Sequence, residues 1–150
     1  MVAYCGATPV FVDSDYSTWN MNAESVLSSI SSQTRAVIAV HLYGHPCPMR
    51  ELSELCEQQG LYLIEDVAEA HGALAHGKSV GSWGDLATYS FYGNKIMTTG
   101  EGGMVVGNDE KWREKIKLYR DQGMDPKCRY WFPVIGYNYR MTNVAAAIGL

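Results

Sequence analysis

Short apolar runs alternate along the chain with stretches of helical periodicity. Arg35–His41 (RAVIAVH) is β-branched and of strand length, and its unbroken apolarity suits a parallel strand covered on both faces. Pro9–Asp13 (PVFVD), Leu61–Asp66 (LYLIED), Leu86–Tyr92 (LATYSFY) and Gly103–Gly107 (GMVVG) read as further strands. Between them, Ala23–Ile30 reads as a short helix after the capping residue Asn22. Pro48–Gln59 places Leu52, Leu55 and Cys56 on one helical side and is closed by Gly60. Asp109–Gln122 predicts a helix with mixed charges on its outer face. Strand, helix, strand in succession is the pattern of an α/β domain with a mostly parallel sheet and flanking helices. Such sheets bind ligands beyond the carboxyl ends of their strands. Three runs end there in suggestive groups: His41, the pair Glu65 and Asp66, and the segment Ser90–Lys95.

Composition narrows the function classes. The 150 residues suffice for one domain with a real core. With 47% hydrophobic and 19% charged residues the chain is of ordinary globular type. A formal charge of −4 without a basic face argues against a nucleic-acid partner. No apolar run is long enough to span a bilayer, and no signal peptide is visible at the N-terminus. Cys5, Cys47, Cys56 and Cys128 form no CxxC pair, so a reducing, cytoplasmic setting with free thiols is expected.

Asp66 ends a buried apolar run, where a carboxylate is costly unless something faces it. It reads equally as a cap for a following helical turn and as a site residue, and it can do both only by dividing its two oxygens. Lys95 lies in a polar, glycine-flanked stretch beyond the next strand. A lysine and an aspartate at neighbouring strand ends are what pyridoxal phosphate (PLP) chemistry needs: an amine for the Schiff base and a carboxylate for the pyridine nitrogen. Ser90 offers a hydroxyl for the phosphate. On spacing alone, a lone S-x4-K pattern reads more simply as a solvated surface lysine. His41, His45 and Cys47 are zinc-ligand types, but Gly44 and Pro46 break the segment and no second cluster completes four ligands, so no metal is expected. The GEGG stretch (Gly100–Gly103) reads as a tight turn between strands, and the aromatic residues Tyr130–Phe132 and Tyr137–Tyr139 as packing or a subunit contact.

Five stretches carry a resemblance: GATPVFVDSD, AVIAVHLYGHPCPM, LIEDVAEAHGA, VGSWGDLATYSFYGNKIMTTGEGGMVV and GYNYRMTNVAAAIGL. In order and register over nearly the whole chain, they resemble the DegT-type PLP-dependent nucleotide-sugar aminotransferases, and most of all the perosamine synthase branch. The resemblance implies the fold type I (aspartate aminotransferase-like) large domain, with 1–150 as its central part and the phosphate-loop segment and small C-terminal domain absent. It implies Lys95 as the Schiff-base lysine and proton carrier, Asp66 on the pyridinium nitrogen, Glu69 by the cofactor 3-hydroxyl and Ser90 on the phosphate. Asn138 is implied at the phosphate of a neighbouring subunit, hence a homodimer, and Arg140 at the substrate end of that shared site; His71 is given only packing near the ring. Glutamate is the implied donor and a 4-keto-6-deoxy nucleotide sugar the acceptor, in precursor synthesis for cell-surface polysaccharide such as O-antigen; GDP over UDP rests on the branch alone. A lysine rather than a histidine at position 95 favours amino transfer over pyridoxamine-dependent dehydration. An inert remnant, or an assembly partner donating Asn138 and Arg140, is the non-enzymatic alternative, and the chain by itself is expected to bind PLP poorly.

Overall fold

The computed structural model describes residues 1–150. Its centre is a sheet of β1 (Ala36–Val40), β2 (Tyr62–Asp66), β5 (Leu86–Ser90) and β6 (Gly103–Gly107), with a small antiparallel hairpin, β3 (Leu74–Ala75) and β4 (Lys78–Ser79), between β2 and β5. The spatial order is β1-β2-β5-β6. The first three run parallel and β6 returns antiparallel to β5. Val40 lies opposite Asp66, Asp66 opposite Thr88, and Ser90 opposite Gly103, so the polar strand ends come together along one sheet margin.

Local signals set the helices. α1 (Ala23–Ser29) begins where Asn22 Oδ1 accepts the Ser25 N–H at 2.8 Å. Asn22→Ala is expected to cost about 1 kcal/mol, read as a lower urea midpoint at unchanged slope. α2 (Met49–Gln59) buries Leu52, Leu55 and Cys56 on one side, and they share a core with Val26, Val37, Ala39, Leu63 and Ala87. It ends at Gly60, whose φ of 64° is easy only for glycine and whose N–H caps the Cys56 and Glu57 carbonyls. α3 (Glu110–Arg120) is capped by Asp109 and buries no residue; Trp112 meets the Tyr62 ring edge-on at 5.1 Å. α4 (Asn143–Ile148) is capped by the Thr142 hydroxyl and lies against the loop after β5. No helix is long and apolar enough to cross a membrane.

The structure departs from the sequence expectations in three elements. Pro9–Asp13 is not a strand; Val10 and Phe11 are exposed, and the nearest pairing is an isolated bridge from Ser14 to Met21. Apolar β-formers become a strand only where a neighbour accepts their ladder bonds, and none lies beside this segment. β1 is covered on one face, not two: Val37 and Ala39 are buried, while Ile38 and Val40 remain 40% and 43% exposed. Residues of this chain do not reach that second face. The strand from Leu86 stops at Ser90 rather than Tyr92, because the Phe91 carbonyl is taken by the Thr99 N–H and the Thr98 hydroxyl, both at 3.0 Å. The remaining elements differ from expectation by a residue or two at their ends.

Candidate functional site

Asp66 sits at the end of β2, on the opposite sheet face from Glu65 because side chains alternate along a strand. Its backbone is held on both sides: the carbonyl accepts the His41 N–H at 3.1 Å, and Val67 donates to the Thr88 carbonyl at 2.9 Å. Asp66 Oδ1 accepts the Ala68 N–H at 3.0 Å, closing a turn rather than capping a helix. The oxygens are thus divided: Oδ1 serves the backbone and Oδ2 makes no hydrogen bond within the chain.

Lys95 belongs to the connection 91–102 between β5 and β6. That connection is longer than the tight turn expected of GEGG, and it is pinned at its base. Phe91 donates to the Gly102 carbonyl at 2.9 Å and the Thr99 hydroxyl to the Glu101 carbonyl at 2.6 Å. Gly102 adopts φ +144°, a backbone that residues with a side chain rarely take, so this position is easy only for glycine. Held this way, the Lys95 side chain is only 17% exposed, and its Nζ lies 3.7 Å from Glu69 Oε1. Glu69 Oε2 accepts the Tyr43 N–H at 2.9 Å, which ties the loop after β1 to the lysine through one carboxylate. Ser90, at the end of β5, accepts the Tyr92 N–H at 3.3 Å on its hydroxyl oxygen and keeps its own proton to donate.

His71 lies between Tyr89 and Phe91, with ring centroids 5.5 and 5.9 Å away. Both of its ring nitrogens are buried without a hydrogen-bond partner in the chain. Unpaired buried polar atoms are uncommon and mark places completed by another group.

The structure gathers Asp66, Glu69, Ser90 and Lys95 at one end of the sheet but not Asn138 or Arg140. Their segment lies along the end of α3, where Tyr137 and Tyr139 donate to the carbonyls of Tyr119 and Arg120. Arg140 pairs with Asp121 at 3.6 Å, and Asn138 forms a bridge with the same residue. Neither makes a hydrogen bond or ion pair with the Lys95 cluster.

Sequence reasoning missed the most elaborate polar group in the fold. Glu65 is fully buried and accepts the N–H groups of Gly81, Trp83 and Gly84 at 2.7, 2.7 and 2.8 Å. His41, also fully buried, stands with Nε2 at 3.1 Å from Glu65 Oε2, while its Nδ1 accepts the Cys47 N–H at 3.1 Å. That pattern leaves the ring proton on Nε2, donating to Glu65, and both nitrogens are engaged by protein groups rather than free for a metal. Burial alone raises the Glu65 pKa, but the His41 hydrogen bond and the three backbone donors outweigh it and hold the carboxyl below its ordinary value. The resulting charge is felt nearby: burial, reinforced by Glu65, pushes the Cys47 thiol up to about 12 and raises the Tyr89 phenol. The legible signals were a glutamate in a buried strand and the glycine-flanked GSWGD that follows.

Comparisons with known proteins place the whole chain in one family. The profile of the DegT/DnrJ/EryC1/StrS aminotransferase family matches residues 1–150. The GDP-perosamine synthases of Caulobacter vibrioides and Escherichia coli O157:H7 are 55% and 52% identical to the chain over 149 residues. Each comparison covers 99% of this chain and 40% or 41% of the relative, so the chain spans about two-fifths of their length. The X-ray structure of the aminotransferase from Psychrobacter cryohalolentis superposes with a TM-score of 0.91 at 42% identity, over 99% of this chain and 40% of that one. With the family profile matched along all of its residues, the chain belongs to the DegT/DnrJ/EryC1/StrS aminotransferase family.

Proposed function

We propose that this chain forms the central part of the large domain of a PLP-dependent sugar aminotransferase, acting from glutamate to a 4-keto-6-deoxy nucleotide sugar. One observation carries the reading. A largely buried lysine amine and an aspartate with one uncommitted oxygen share the carboxyl end of a parallel sheet, in a chain of this family. The residues fit the cofactor: Lys95 has only Glu69 as partner, Asp66 Oδ2 is free, and the His71 ring nitrogens lack partners close by.

When bound, PLP supplies the electron sink that makes the hydrogen on the amine-bearing carbon acidic. Asp66 Oδ2 would hold the proton on the pyridine nitrogen, an electrostatic contribution fixed in place by the β2 backbone. Lys95 would hold the cofactor at its aldehyde end, and its amine, when free, would carry the proton to and from the reacting carbon as general base and acid. Glu69 holds the lysine in its resting place and would accept from the hydroxyl beside the aldehyde. The Ser90 hydroxyl would donate to the phosphate. Asn138 and Arg140 lie apart from Lys95 in their own chain, which favours their serving a neighbouring subunit's site as a homodimer would require. Free cysteines suit a reducing, cytoplasmic setting, and perosamine-type relatives suit a role in polysaccharide precursor synthesis.

Borohydride reduction of the chain incubated with PLP, followed by peptide mass spectrometry, tests the proposal. At a PLP excess that overcomes weak binding, a single pyridoxyl group on Lys95 is expected; no label, or label scattered over surface lysines, defeats it. Because an apolar sheet face stays open and the chain spans two-fifths of its relatives, little turnover is expected from the purified chain. Robust amine transfer by it would overturn that expectation.

A further inference from the structure

Asn20 is 2% exposed, and each of its polar groups is engaged within the chain. Its Nδ2 donates to the His45 carbonyl at 2.8 Å, and its Oδ1 accepts the Leu42 N–H at 3.1 Å. Its backbone N–H donates to the Thr18 hydroxyl at 3.3 Å and its carbonyl accepts the Asp15 N–H at 2.8 Å. A bridge between Ser14 and Met21 closes the loop that presents it. A buried amide that spends both ends on one backbone segment fixes the shape of that segment, because losing either bond leaves a buried polar group unpaired.

The segment is the single 3₁₀ turn Leu42–Gly44 that follows β1. Tyr43 within it has φ 51° and ψ 31°, a left-handed backbone that a residue with a side chain adopts at a cost. The two Asn20 bonds fall one residue before Tyr43 and two after it, and His41 Nδ1 accepts the Cys47 N–H just beyond. Held this way, the Tyr43 N–H donates to Glu69 Oε2 at 2.9 Å, while Glu69 Oε1 lies 3.7 Å from Lys95 Nζ. The turn approaches Glu69 at a second place, since a Cβ on Gly44 would stand 3.4 Å from the Glu69 carbonyl. The Glu69 carboxylate, 36% exposed, makes no other bond in the chain, so the turn and the lysine set its direction.

We infer that Asn20 is a positioning residue for Lys95: it holds the turn whose Tyr43 N–H aims Glu69, and Glu69 holds the amine at the strand ends. The inference rests on the reading of Lys95 above and deepens it. Asn20 makes no hydrogen bond to Glu69 or Lys95 and acts on them only through the turn. Removing the first link is therefore expected to release the last.

Three measurements on the 150-residue chain test this relay. The Tyr43 amide is expected to exchange its hydrogen about tenfold or more faster in Asn20→Ala, and likewise in Glu69→Ala, where its acceptor is gone. Acylation of Lys95 by acetic anhydride, read by peptide mass spectrometry against the exposed Lys127, is expected to be about threefold or more faster in each variant. A double-mutant cycle separates the relay from general loosening: in a Glu69→Ala background, Asn20→Ala is expected to add nothing to the Lys95 rate. PLP affinity, read from the near-visible absorbance of the bound cofactor, is expected to fall about threefold or more in Asn20→Ala, because the amine is no longer placed in advance. A lysine merely bared to solvent would gain in acylation without losing cofactor. Asn20→Asp keeps an acceptor for Leu42 and loses only the donor to His45; it is expected to move each reading in the same direction, and it serves in the cycle if the alanine variant fails to fold. Unchanged Tyr43 exchange, additive acylation rates in the cycle, or wild-type PLP affinity in Asn20→Ala overturns the inference. Pyridoxylation of Lys95 with additive rates defeats the relay alone; coupled rates in a chain that binds no PLP defeat the amino-transfer reading instead.

Discussion

Lys95→Ala is expected to remove the borohydride-fixed pyridoxyl label completely, and to lower amino transfer in any assembly containing this chain by about 10²–10⁴-fold or more. Lys95 is held mostly buried at the strand ends, and its own charge partner, Glu69, is a carboxylate that keeps it at the site without blocking it. Lys95→Arg separates charge from nucleophilicity. It keeps a cation near Glu69, yet a guanidinium does not deprotonate to attack an aldehyde, so it is expected to be as inactive as the alanine variant. Thermal stability should scarcely change in either, since a 3.7 Å pair with a partner 36% exposed is worth about 0–1 kcal/mol. Loss of label with an unchanged melting temperature is the expected signature. Retained labelling in Lys95→Ala would transfer the role to another lysine.

Glu65→Gln is expected to cost about 3–5 kcal/mol, a large share of the 5–15 kcal/mol that stabilises an ordinary domain. The carboxylate accepts four hydrogen bonds and offers no donor. A glutamine retains one oxygen for Trp83 and Gly84, but its amide turns a donor toward the Gly81 N–H and the His41 Nε2 proton. Donors are then buried against donors, which costs more than simple loss of a bond. The pH dependence follows from the depressed carboxyl. Glu65 titrates lower in the folded chain than its ordinary 4.5, so its contribution is fully present above that pH and lost as pH falls through the folded value. Urea midpoints of the wild type should therefore decline on acidification from about pH 5 downward, and those of Glu65→Gln should decline less. Parallel curves would show that the buried carboxylate does not govern acid stability.

Glu65 has as its chain neighbour the site residue Asp66, and the sequence presents the two as a pair. Glu65 and Asp66 are adjacent, yet the strand's alternation sends them to opposite sheet faces: one into a closed hydrogen-bond cage, the other to the open margin beside Thr88. Nothing in the dipeptide says which is which. The choice depends on where α2 and the 81–84 loop pack, and those contacts lie far apart in the chain. The same holds for Lys95, which spacing alone left as a surface charge. Its burial comes from the pinned 91–102 connection and its partner from the turn after β2.

Features set by near neighbours in the chain were legible without coordinates. Asn22 and Gly60 bound their helices through bonds within a few residues, and the spacing of Leu52, Leu55 and Cys56 set the buried side of α2. The order of strands and helices, with Lys95 and Asp66 near strand ends, was likewise readable from periodicity and motif. Tertiary structure alone decided the rest. Pro9–Asp13 has the composition of a strand and remains irregular, because ladder hydrogen bonds need a partner that local propensity cannot supply. Val37 and Ile38 are similar apolar neighbours, yet one is buried and the other 40% exposed, since only one face of β1 meets α2 and the core. Arg140 pairs with Asp121, His41 with Glu65, and Tyr43 reaches Lys95 through Glu69. Each of those pairings is fixed by distance in space between residues remote in sequence, and spatial distance is what the linear order of side chains does not contain.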